Sequence, residues 1–244
     1  MALGPDNKFT LRTAQMTGAQ ARDADIDVGL RAYMLKVYNY MCIALGLTGA
    51  VAFAVSSSPT LMQAIFGTPL KWVVLAAPIA FGFMVFPRMR SMKASSAQIA
   101  FWVYAGLLGL LISSYFLVYT GESVTRVFFI TSGAFAGLSL YGYTTKRDLG
   151  PIGAFLTYGA FGVMIAIVIN WFLKSPALMY TYSFLGVFIF GGLTAYDTQK
   201  IKQMYRESDG AEIGEKKAVF GALTLYGDFV MMFIFLMNLL GNRE

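Results

Sequence analysis

The chain has 244 residues, 57% hydrophobic and only 13% charged, with a formal net charge of +6. Soluble domains carry about 25% charged residues, so too little polar sequence remains here to cover a soluble surface. A single cysteine, Cys42, and no histidine exclude an intrachain disulfide, a CxxC metal or redox site and Ser-His catalysis, and leave any proton sensing to carboxylates.

Residues 1–30 read as a polar N-terminal arm, and 31–244 as a membrane domain. No cleavable signal peptide is expected, because the arm is polar and no clear cleavage site follows the first apolar run. Seven apolar segments follow, over about 37–56, 72–87, 99–119, 124–143, 152–173, 178–197 and 219–240. Runs of about 20 residues without period-2 alternation favour transmembrane helices over a β-barrel. The second segment is the shortest and is expected to start a little earlier. Pro78 should kink it and Pro87 end it. Trp72, Trp102 and Trp171 fall near expected span ends, where interfacial anchoring is their ordinary role. Gly133 and Gly137 make a small-xxx-small pair, and Gly191-Gly192 thin the sixth segment, both read as close helix packing. Glu122 reads as a helix-start residue. Lys146, Arg147 and Asp148 read as a solvated turn, and Asn170 and Asn238 as span-end residues satisfied by headgroups or water.

Basic residues set the expected orientation. With the N-terminus in the cytoplasm, 15 Lys and Arg lie inside, against four outside: Lys71, Arg126, Lys174 and Arg243. The positive-inside rule favours this arrangement. The net charge is therefore a topology signal, with anionic lipid as its natural contact rather than nucleic acid.

Asp228 is the one charged residue in the run from Val219 to Leu240. A carboxylate near the middle of a membrane helix costs about 2.5–3.5 kcal/mol on insertion scales, so it is expected to face a partner, a cavity or an ion path. Asp197, near the inner end of the sixth segment, is the candidate partner. Asp228 would lie about 13 Å below the start of the seventh segment, and Arg88, with Arg90 just beyond it, closes the second segment on the same side. Two carboxylates in low dielectric cannot easily both hold charge, so the pair is expected to retain a proton. A shared proton would tie segments six and seven together, and its loss would loosen that latch and offer anionic oxygen to a cation. For each residue a plainer reading stands beside this one: Asp197 as a helix-end cap, Asp228 as a packed polar residue, Arg88 as a positive-inside anchor. No P-loop, GxSxG or HExxH is present, and no enzyme is expected.

Four stretches carry a family resemblance: AYDTQKI (195–201), ALTLYGDFVMMFIFLMNLLG (222–241), RAYMLKVYNYM (31–41) and TTKRDLG (144–150). Together they resemble the bacterial branch of the transmembrane Bax inhibitor motif family, over about residues 28–241. The resemblance implies an all-α, seven-helix bundle with a central last helix, in the bacterial inner membrane. It also implies a pH-sensitive calcium leak without a tightly bound cofactor. The family's di-aspartyl sensor falls on Asp197 and Asp228, and its latch arginine on Arg88 or Arg90. Ala77-Pro78 stands where some relatives carry an acidic residue, and Gly227 replaces a bulkier apolar one. Calcium takes six to eight oxygen ligands, so two aspartates would hold it only transiently. The alternative is a non-conducting regulator that binds a membrane-anchored AAA protease or another stress-response partner, with the N-terminal arm as its handle.

Overall fold

A computed structural model of the protein describes residues 18–242 apart from Arg90, with side chains from residue 28 onward. Among those residues lie eight α-helices and no sheet: α1 (Gly18–Ser56), α2 (Pro59–Phe66), α3 (Leu70–Met89), α4 (Ala94–Ser113), α5 (Gly121–Thr144), α6 (Gly150–Leu173), α7 (Pro176–Met204) and α8 (Ala211–Leu240). A 3₁₀ turn, Ser114–Leu117, extends α4. All but the eight-residue α2 are long and apolar enough to cross a bilayer. Helices satisfy their own backbone groups within one segment, which hydrocarbon requires. The chain is an integral membrane protein, with seven spans among the described residues.

Several helices outrun the apolar segments. α1 already includes Gly18, inside the polar arm; α7 continues past Asp197 to Met204; α8 begins at Ala211 rather than near 219. Polar residues end an apolar run without ending a helix, so hydropathy marks the hydrocarbon edge and caps mark the helix end. α3 likewise runs through Pro87 to Met89, where the sequence suggested a stop at the proline. Local signals do set other ends. Ser58, Thr120 and Ser175 each accept a hydrogen bond from a backbone N–H in the first turn of α2, α5 and α7, and Pro59 and Pro176 occupy first-turn positions whose N–H is not needed. α6 stops at Lys174, the only described non-glycine residue with positive φ (48°). Asn170 fixes that turn by accepting the Ser175 N–H at 2.9 Å, a protein contact where headgroup or water was expected.

The last helix is the axis of the bundle. In the most apolar stretch of α8, 67% of residues are buried, against at most 33% in any other span. It packs on α7, α1, α5 and α4. α3 leans on α4 and α2, and α6 packs on α7, so both present mostly apolar side chains outward. Close packing falls on glycines other than the expected pair. A Cβ on Gly142 would lie 2.1 Å from the Ala195 carbonyl oxygen, and one on Gly186 would lie 2.5 Å from the Phe235 ring. Gly142 thus lets α5 onto α7, and Gly186 lets α7 onto α8. Gly133 and Gly137 face open space, correcting their reading as packing residues; Gly192 does pack, against Leu156. Trp102, expected as a span-end anchor, does not present its indole N–H outward. It lies well inside α4, and its Nε1 is buried without a partner.

Candidate functional site

α7 and α8 run antiparallel in contact. Ile201 lies against Gly221 and Met232 beside Gly191, and Asp197 and Asp228 fall between those two contacts. Both side chains turn into the seam. The carboxyl groups lie within hydrogen-bonding reach of each other. Asp228 is 5% exposed, and its Oδ2 is buried without a donor from the rest of the protein. An ionised carboxylate only accepts, whereas a protonated one also donates. One proton shared between the two would therefore satisfy an oxygen that two bare carboxylates would leave unpaired. Asp197 is half-buried, inside α7 rather than at its end, and so caps nothing. It lines a cavity of about 340 Å³ between α6 and α7, together with Thr157, Tyr196 and Lys200. Asp197 thereby connects the buried Asp228 to a cavity lined by the Lys200 side chain.

The expected contact with Arg88 is absent. Arg88 is exposed and donates to the Met84 carbonyl, 2.5 Å away in its own helix. The reason is architectural: α3 lies at the periphery, against α4 and α2, so a residue at its end does not reach the α7–α8 seam. Arg90 lies outside the described residues. The charge facing Asp197 comes instead from Lys200, one helical turn along α7.

Other polar groups near this end form ties that residue spacing did not reveal. Glu215 on α8 accepts from Lys36 on α1 at 2.6 Å and from the Tyr40 hydroxyl. Glu212 accepts the Ala94 N–H at 2.6 Å, capping α4 from α8. Lys202 donates to the Tyr143 carbonyl at 2.9 Å, Lys217 to the Met204 carbonyl at 2.9 Å and to Asp209 at 2.5 Å, and Lys216 to the Met92 carbonyl at 3.0 Å. Several residues that sequence reading counted only as topology charges thus cap the free carbonyls of neighbouring segments. Deeper in, three hydroxyls form a chain across α1, α5 and α7. Thr198 donates to the Thr194 carbonyl, so Ser139 donates to Thr198 at 2.9 Å and Tyr38 to Ser139 at 2.7 Å. At the opposite end Asn238 donates to buried Ser183 at 3.1 Å and accepts from Tyr119 at 3.3 Å, a protein network where headgroups or water were expected. Glu122 sits in the first turn of α5, as read, and Lys146, Arg147 and Asp148 are exposed in the α5–α6 turn.

Residues 30–244 match the family model described as "Inhibitor of apoptosis-promoting Bax1". Similar proteins include an uncharacterized protein of Rickettsia prowazekii (strain Madrid E), 45% identical over 92% of this chain and 95% of that one. An uncharacterized protein of Caulobacter vibrioides is 42% identical over 98% of this chain and all of its own length. The inner membrane protein YbhL of Escherichia coli (strain K12) is 39% identical over 88% of this chain and 94% of its own.

Proposed function

This chain belongs to the family of inhibitors of apoptosis-promoting Bax1, the Bax inhibitor motif family that its motifs resemble, and on that premise we propose that it is a pH-sensitive calcium leak of a bacterial inner membrane. Asp197 and Asp228 form its gating pair. The observation that carries this reading is the buried Asp228 oxygen without a donor, on the most buried helix, beside a second carboxylate. With one proton shared, α7 and α8 are tied and the path is closed. Loss of that proton sets two negative charges against each other in a low dielectric, loosens the seam and exposes oxygens to a cation. Flux therefore rises as pH rises through the titration of the pair. Among the described residues no group of three or more His, Cys, Asp or Glu could hold a metal ion. Calcium is in this reading a passing cargo, held briefly by fewer oxygens than a storage site provides. The inner-membrane assignment follows the Escherichia coli relative, an inner membrane protein, with the N-terminus and the basic connections in the cytoplasm by the positive-inside rule.

The test is calcium entry into liposomes holding purified protein, measured across pH 5–9. The parent should pass calcium with a clear pH dependence. Asp228→Asn, which cannot ionise, should flatten that dependence at least about tenfold, equivalent to about 1.4 kcal/mol of lost coupling. Equal pH profiles in parent and variant would remove the gating pair. Absence of flux at every pH in correctly inserted protein would favour a non-conducting regulator acting on a protein partner such as a membrane-anchored protease.

A further inference from the structure

A crevice of about 710 Å³ opens between α1 and α5, floored by Phe229, Val230 and Phe233 of α8. Both walls pack on α8, and neither packs substantially on the other. Gly46, Gly49 and Ala52 make the α1 wall smooth, and Phe128 and Phe129 line the α5 wall. No Asp, Glu, Lys or Arg lines it. Its hydroxyl protons are all committed within the protein. Tyr38 bonds Ser139, Thr48 bonds the Ala105 carbonyl at 2.9 Å, and Thr125 and Ser132 bond the Gly121 and Phe128 carbonyls at 2.9 and 2.8 Å. Apart from the weakly polar Cys42 thiol, the lining offers a ligand no free donor and no charge, so its occupant is hydrocarbon.

We propose that the crevice between α1 and α5 is a binding site for one phospholipid acyl chain. Size and place select that occupant. An engineered apolar cavity of about 150 Å³ holds a benzene molecule, so this one admits something several times larger. A helix about 10 Å wide fills about 420 Å³ per turn, so fewer than two turns of a partner helix would fit, too little to seat a spanning segment. Both walls are membrane spans, so the apolar molecule available there is bilayer lipid. The site goes beyond the proposed leak and stands whether or not the chain conducts ions.

Two wall glycines permit a direct test. A Cβ on Gly46 or Gly49 meets nothing within 4 Å, so Gly46→Phe or Gly49→Phe starts from open space and directs its ring into the crevice. Gly162→Phe on α6 is the control, since that glycine also faces open space but lies outside the crevice. Native mass spectrometry of detergent-purified protein reads the bound phospholipid. The parent and Gly162→Phe should retain one phospholipid adduct, and at least one crevice variant with parental helix content should lower its occupancy at least about tenfold. A parent without an adduct, or an adduct equally retained by both folded crevice variants, would overturn the site. So would a dimer present in the parent and lost with Gly46→Phe, which would make a second copy the occupant. Cys42, the only cysteine and itself in the lining, keeps the proposal testable if both crevice variants misfold. In vesicles of the parent it should react with a lipophilic maleimide and be protected from a charged thiol reagent. Rapid reaction with the charged reagent would mean a water-filled crevice and defeat the proposal.

Discussion

Asp228 makes sense only through its surroundings. A lone carboxylate in an apolar run already signals function, because its transfer into hydrocarbon is costly. What the signal lacks is direction, and the fold supplies it by turning Asp228 into the α7–α8 seam beside Asp197. Arg88 shows the limit of the same reasoning: a shared membrane side did not translate into contact, because α3 sits at the edge of the bundle. Arg88→Gln should accordingly shift the pH midpoint of liposome calcium flux by less than about half a unit, or about 0.7 kcal/mol, while Asp197→Asn should abolish the midpoint. A large shift with Arg88→Gln would mean that α3 approaches the seam in another state. Asn238 carries a stability prediction. Asn238→Leu leaves buried Ser183 without its donor, so it should cost about 1–3 kcal/mol, read as a lower melting temperature in detergent with the helix content unchanged.

Helix contacts in this bundle depend on what a glycine faces, which a motif cannot report. Gly133 and Gly137 have the spacing of a packing motif and face open space, whereas Gly142, outside that pair, admits the Ala195 carbonyl. Gly142→Ala should force α5 away from α7 and destabilise the protein by about 1–3 kcal/mol. Gly137→Ala, with room for its methyl group, should be neutral or stabilising by up to about 1 kcal/mol through helix propensity. Thermal unfolding of the two variants in the same detergent checks the contrast, and equal melting temperatures would refute it. A second inter-helix device is Glu212, whose carboxylate caps α4 from α8. Glu212→Ala should lose about 1 kcal/mol, the ordinary worth of an N-cap, and hydrogen exchange at the start of α4 should rise with it.

At the scale of the whole molecule, the seven spans among the described residues predict ends on opposite sides of the membrane. Reporter fusions should find a C-terminal tag outside and an N-terminal tag in the cytoplasm, following the excess of basic residues on the proposed inner face. Both tags on one side would contradict the seven-span path, and a full inversion would contradict the charge rule.

Composition and the lengths of the apolar runs were enough, by themselves, to establish a seven-helix membrane protein. The bilayer requires each span to satisfy its own backbone and cover itself with apolar side chains, and both demands are written locally along the chain. The unusual carboxylate in the last span was equally legible, because one charge among uncharged neighbours needs no fold to be noticed. Tertiary structure alone decided which glycines meet a neighbour, that Arg88 stays away from the aspartate pair, and that basic residues near the helix ends cap neighbouring segments. Those outcomes depend on how each helix is rotated and which face it offers. Uniformly apolar spans carry little periodic pattern to specify that rotation, so packing between helices settles it.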